Sequence, residues 1–257
     1  MAFEFLLSES DQMFSTDEEI KFVIEPQISL FCGPLCFTRS LKSAVGNVIA
    51  NGSFGLVDTG KKKLLVTCYH VWEELEKHPE LKMCVFLDRN PSIGVKGVDL
   101  NFQPLDQDKH LDLVTFDIEP LLSECRNRKF YPLNQNPARR VEKGNQLAFL
   151  GYPGVLRSAA VEYVQFGSMV YAIEVSSVDG LIFHSDMSKA RTIYKHPLEL
   201  IEPSDRHGGI SGSPCFWVRQ GRPAQLVGFA RSEWMGFLWF THARCLNPDG
   251  TIRKTAN

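Results

Sequence analysis

From about residue 28 onward the chain is written in short apolar runs separated by turn residues, and this rhythm constrains the fold more than any other feature. The runs fall at 45–50, 54–57, 64–67, 83–87, 113–118, 147–152, 181–184, 215–218, 226–230 and 237–240. They are rich in Val, Ile, Leu and Phe and are bounded by Gly, Asn, Asp or Pro. Segments this short bury themselves as strands in a sheet with many partners, so the pattern predicts an all-β barrel or sandwich. Helical text is confined to 71–78, which Pro79 stops, and to a turn or two over 121–128. The polar stretch 131–145, with Pro132 and Pro137, reads as the connection between two halves. The expected organisation is an N-terminal extension over 1–28, an N-terminal β-barrel over 29–135 and a C-terminal β-barrel over 136–257.

Composition narrows the function classes. Apolar residues make up 44% of 257, which suffices for a sizeable core. A net charge of -2 gives no reason to expect nucleic acid or an anionic membrane as partner. The basic run Lys61-Lys62-Lys63 follows Asp58-Thr59-Gly60 and reads as a solvated hairpin turn. The opening residues carry Glu4 where a secretory signal has a basic region, so no signal is expected. No apolar run approaches the roughly 18 residues that span a membrane. The 7 cysteines are odd in number and sit mostly in strand-like text, which predicts buried free thiols in a reducing, cytoplasmic setting. Cys32-Gly33-Pro34-Leu35-Cys36 offers half a zinc site, but no second half with ligand spacing follows, so no metal is expected.

Three elements carry chemistry. The first is Gly208-Gly209-Ile210-Ser211-Gly212-Ser213-Pro214, which leads into an apolar run. A nucleophilic serine needs an exposed hydroxyl on a tight turn and backbone N–H groups aimed at a developing oxyanion. Glycines on either side permit both. The second is Leu64-Leu65-Val66-Thr67-Cys68-Tyr69-His70-Val71, a strand that delivers a histidine to the start of a helix and so holds a general base rigidly. The third is His110-Leu111-Asp112-Leu113-Val114, where a carboxylate flanked by leucines needs a hydrogen-bond donor, and a histidine N–H would serve. Asp108 and then Asp117 are the alternatives for that role. The order is His, Asp, Ser. The separations of 42 and 99 residues lie near the roughly 45 and 95 of the trypsin-like order. They do not fit the Ser-Asp-His order of the α/β-hydrolases.

On these residues, together with Gly52-Ser53-Phe54 and Gly228-Phe229-Ala230, the chain resembles the trypsin-like serine peptidases. It is closest in character to their disulfide-free bacterial branch. The resemblance covers about 40–245. It implies two antiparallel barrels with the active site in the cleft between them. His70, Asp112 and Ser211 would form the triad, and the N–H groups of Gly209 and Ser211 the oxyanion hole. No cofactor is needed for that chemistry, and the substrate would be a protein or peptide. Asp205 would sit at the base of the primary specificity pocket, His207 near its wall, and Phe229 and Ala230 along the peptide groove. Ile210 stands where many secreted members carry the acid that receives a new N-terminus. Activation by that ion pair is therefore not expected, and loop ordering or an activating partner protein takes its place. The alternatives are a catalytically silent module of the same fold that binds or scaffolds, and an esterase using the same triad.

Overall fold

Alternation of period two decides how the strands are used. In the strand of residues Lys63–Thr67 (β3), Leu65 points into one core while Leu64 and Val66 point into another. In Gln146–Gly151 (β9), Leu147 and Phe149 face one core while Ala148 and Leu150 face the other. Strands buried on both faces read as continuous apolar runs, which is how they appear in the sequence. The computed structural model describes residues 18, 24–39, 48–88, 97–101, 103–159, 164–194, 208–219 and 222–254.

The protein is mostly β, with about 45% of it in strands. The N-terminal sheet combines Cys32–Thr38 (β1), Val48–Asp58 (β2), β3, Lys82–Val85 (β4), Val98–Asp99 (β5), Asp106–Asp108 (β6) and Leu113–Asp117 (β7) in the order β5-β4-β1-β2-β3-β7-β6. Tyr131–Pro132 (β8) adds a short parallel pairing to β2. This sheet curls into a half-barrel. The C-terminal sheet runs Ile182–Asp186 (β13), Phe237–His242 (β17), Gln225–Trp234 (β16), Pro214–Trp217 (β15), β9, Met169–Asp179 (β12) and Arg191–Tyr194 (β14). Pairing of β13 with β12 closes it into a six-strand barrel. The architecture is all-β, consistent with two antiparallel barrels and compatible with the trypsin-like fold. A pair of strands, Arg157–Ala159 (β10) and Val164–Phe166 (β11), forms a separate hairpin.

Among the described residues, three large cores follow from this arrangement, beside a small cluster of Cys36, Cys84 and Phe86. Leu35, Phe54, Leu65, Trp72 and Phe116 fill the half-barrel. Phe149, Tyr171, Phe183, Trp217 and Phe240 fill the closed barrel. Between them Val57, Leu64, Val66, Leu111, Ala148, Leu150, Phe216 and Phe229 form a shared layer. Ile24 and Ile28 join that layer, so the described end of the N-terminal extension, including the short helix Glu25–Ile28 (α1), packs between the sheets. All seven cysteines are free; six are buried and Cys125 is partly so. Among the described residues, no helix is long and apolar enough to cross a membrane.

Candidate active site

The end of β3 delivers the chain into the helix Tyr69–Lys77 (α2). Val71 and Trp72 bury one face of this helix, and Trp72 packs edge-on against Phe116 at 5.4 Å between ring centres. The N-cap residue Cys68 offers no side-chain cap to the first turn. Asp112 supplies one instead, from the turn before β7. Its Oδ1 accepts the backbone N–H of His70 at 2.9 Å. The same carboxylate meets His70 Nδ1 at 2.8 Å through Oδ2 and at 3.0 Å through Oδ1. An ionised carboxylate only accepts, so Nδ1 carries the ring proton and Nε2 keeps its lone pair. The side chain of His70 is 45% exposed and that of Asp112 11%, so the imidazole faces solvent and the carboxylate stands behind it.

The turn that presents Asp112 is itself tight. Asp112 has φ of 51°, in the left-handed region, where an Asp is better tolerated than most residues. Asp108 Oδ1 accepts the N–H of Leu111 at 2.9 Å and shapes the turn. Asp117 pairs with Lys62 at 2.5 Å. Both alternatives considered for the orienting acid are thus committed elsewhere, and Asp112 is the carboxylate at His70.

The loop carrying Ser211 hangs from both sheets. Gly209 and Gly212 take φ of 98° and 91°, which a side chain would strain. A Cβ on Gly212 would lie 2.1 Å from the Ser53 carbonyl oxygen. Ser53, on β2 of the other sheet, is fully buried and holds the loop at several points. Its N–H donates to the Ser211 carbonyl at 2.8 Å, and its hydroxyl to the Gly209 carbonyl at 2.8 Å. Its own carbonyl accepts from Thr67 Oγ1 at 2.8 Å, and its hydroxyl accepts from the Tyr152 N–H at 3.2 Å. Ile210 is 2% exposed and sinks into the closed barrel's core. The sequence places an apolar residue there, and the structure uses it as a plug. Among the described residues, the N–H groups of Gly209 and Ser211 donate to no acceptor.

Among the described residues, the serine hydroxyl forms no hydrogen bond with His70. Ser211 Oγ donates to the Arg231 carbonyl at 2.7 Å. Arg231 is the residue that sequence reasoning missed. Its Nε lies 3.9 Å from Asp112 Oδ2, and its Nη2 donates to the His110 carbonyl at 3.0 Å. It thus touches the acid with its side chain and the serine with its backbone. Its place directly after Gly228-Phe229-Ala230 carries no local signal of these contacts. Phe229 and Ala230 themselves are fully buried. Their side chains turn into the cores, and Ala230 exchanges hydrogen bonds with Gly212 and Ser213. Any groove role of these two residues therefore falls to their backbone, and Arg231 is the next residue of the strand to reach solvent. Asp205 and His207 lie outside the described residues.

Cys68, His70 and Asp112 bring three metal-capable atoms within 4.8 Å of one another. The chemistry of this set favours hydrogen bonding over a cation. His70 Nδ1 is already engaged by Asp112. Burial pushes the Cys68 thiol well above its usual range, and the Asp112 charge pushes in the same direction. Its Sγ donates to the Ala230 carbonyl at 3.0 Å. A thiol ligates as thiolate, the form this site disfavours. No protein-family model matches the chain, and no curated protein matches it.

Proposed function

We propose that the protein is a serine endopeptidase that uses Ser211, His70 and Asp112. The observation that carries this reading is the bidentate contact of the Asp112 carboxylate with His70 Nδ1–H, which leaves Nε2 as a free base on the cleft side. Ser211 would attack the scissile carbonyl while Nε2 takes its proton. The unpaired N–H groups of Gly209 and Ser211 would stabilise the oxyanion. Collapse would pass the proton to the leaving amine and leave an acyl-enzyme, which water then hydrolyses. Substrates on this reading are proteins or peptides, and the chemistry calls for no cofactor.

The hydrogen bond from Ser211 Oγ to Arg231 describes a resting serine. A substrate backbone N–H that took the Arg231 carbonyl would release the hydroxyl toward His70. With Ile210 plugged into the core, an N-terminal ion pair has no acid to receive it beside the serine. Activation through loop ordering or a partner protein fits this arrangement, as does a cytoplasmic setting for seven free thiols.

The same Ser211–Arg231 bond favours the second reading, a catalytically silent module that binds proteins in its cleft. Reaction with a fluorophosphonate probe separates the two. The peptidase reading expects covalent labelling of Ser211 that Ser211→Ala abolishes and His70→Ala weakens, together with cleavage of a denatured protein substrate. A folded protein that binds peptides yet neither labels nor cleaves supports the silent module. Ester hydrolysis without any peptide cleavage supports an esterase.

A further inference from the structure

The closed barrel carries a cavity of about 530 Å³ on a part of the molecule that shares no residue with the His70–Asp112 site. Arg140 and Lys143 line it from the segment that joins the two sheets. Ser176 and Ser177 contribute from β12, His242 from the end of β17, and Arg244 from the turn that follows. Three cations thus surround the space, against the single carboxylate of Glu142. None of the three cations forms an ion pair among the described residues.

His242 shows what the space lacks. It is 2% exposed, and its Nδ1 accepts the Arg244 N–H at 3.1 Å. A ring nitrogen that accepts carries no proton, so the proton of the neutral ring sits on Nε2. No well-aligned hydrogen bond reaches that buried N–H, and the Arg139 carbonyl engages the ring only weakly. A buried donor held this weakly gains from a better-placed acceptor in the cavity it borders. Burial, then the Arg244 and Arg140 guanidinium groups, hold His242 down at about 4, with the Arg139 carbonyl pulling partly the other way. The ring is therefore a neutral donor near pH 7, and the field that opposes a proton there favours an anion.

We propose that this cavity binds a small anionic molecule, which places a phosphate or carboxylate oxygen on His242 Nε2 between Arg140 and Arg244. Guanidinium groups suit both chemistries through paired N–H donors. The volume is that of a ligand site and exceeds a bare anion, so the ligand carries further atoms beyond its charged group. This inference is independent of the peptidase reading and survives its failure.

Calorimetric titration of the full chain tests it, with inorganic phosphate in one arm and citrate in the other. Saturable binding of either probe is expected, and the tighter arm identifies the charged group. The double substitution Arg140→Ala/Arg244→Ala weakens binding at least about tenfold. Lys189→Ala, a surface cation outside the cavity, leaves it unchanged. In nitrogen-labelled protein the His242 Nε2 resonance shifts on titration. Absence of saturable binding in both arms overturns the proposal. So does binding that the double substitution leaves intact, or that Lys189→Ala weakens equally. The substituted arginines are exposed, so the test does not depend on replacing the buried His242.

Discussion

Asp112 does two jobs with one carboxylate, and two substitutions separate them. It caps the first turn of α2 through the His70 N–H, and it orients the His70 ring. In Asp112→Asn the amide oxygen still caps the helix, and Asn tolerates the φ of 51° as well as Asp does. The amide N–H₂, however, donates toward Nδ1 and favours the tautomer with its proton on Nε2. The base then has no lone pair where the serine proton must go. In the trypsin-like system that gives the principle its magnitude, this change costs about 10⁴ in rate, or about 5.4 kcal/mol of barrier. The expected outcome here is a loss of that order in the Ser211 labelling rate, with stability changed by less than about 1 kcal/mol. Asp112→Ala removes cap and partner together. It adds the loss of a charge-assisted cap, about 1–2 kcal/mol, to a similar loss of rate. Labelling kinetics and urea denaturation on the same three proteins decide the matter. An Asp112→Asn protein that labels within tenfold of the parent refutes the orienting role. An Asp112→Ala protein as stable as Asp112→Asn refutes the cap.

Gly212→Ala forces a Cβ to within 2.1 Å of the Ser53 carbonyl at φ of 91°, so it should cost on the order of 2–4 kcal/mol in denaturant melts and abolish Ser211 labelling. His242 makes stability depend on pH. Its ordinary value is 6.5 and its folded value about 4, so the unfolded chain takes up the proton first as pH falls. The contribution is complete above about pH 6.5 and lost on acidification toward pH 4, on the order of 3 kcal/mol in all. Urea melts across that range should show the slope, and His242→Gln should flatten it. Burial pushes Cys125 up to about 11 and Cys245 to about 12, and raises Cys68 and Cys215 well above the usual thiol range. Iodoacetamide at pH 7.5 should therefore modify these four thiols slowly in native protein and rapidly in urea, as peptide mapping would read.

The strand text and the three chemical motifs were legible because each depends on local sequence. A strand buried on both faces is apolar throughout, so β3, β9 and β15 stand out. The helix that carries His70 was legible from its apolar spacing and from Pro79. β1 was hidden because Gly33-Pro34 reads as a turn, yet all seven of its residues are buried between β2 and β4. The same run suggested half a zinc site, and its two thiols instead pack into separate apolar clusters. β12 was hidden by its polar outer positions, since Glu174, Ser176 and Ser177 interrupt the apolar text of an eleven-residue strand. Arg231 was invisible for a different reason. Its contacts reach Asp112 and His110 across the sequence, and no local pattern encodes a partner more than a hundred residues away. The inward turn of Phe229 and Ala230 likewise depends on the closure of the barrel around them.

Ser53 belongs to one sheet and steadies the Ser211 loop of the other. Neither half of the chain can set that loop alone. On the peptidase reading, a nascent chain whose second half is still emerging has no competent serine, and neither does one whose halves have not yet docked. On that reading, cleavage power requires both sheets to be in place. The dependence also runs in reverse. Loosening the shared layer between the sheets would disarm the serine before either barrel melts, so loss of activity on heating should precede loss of strand structure.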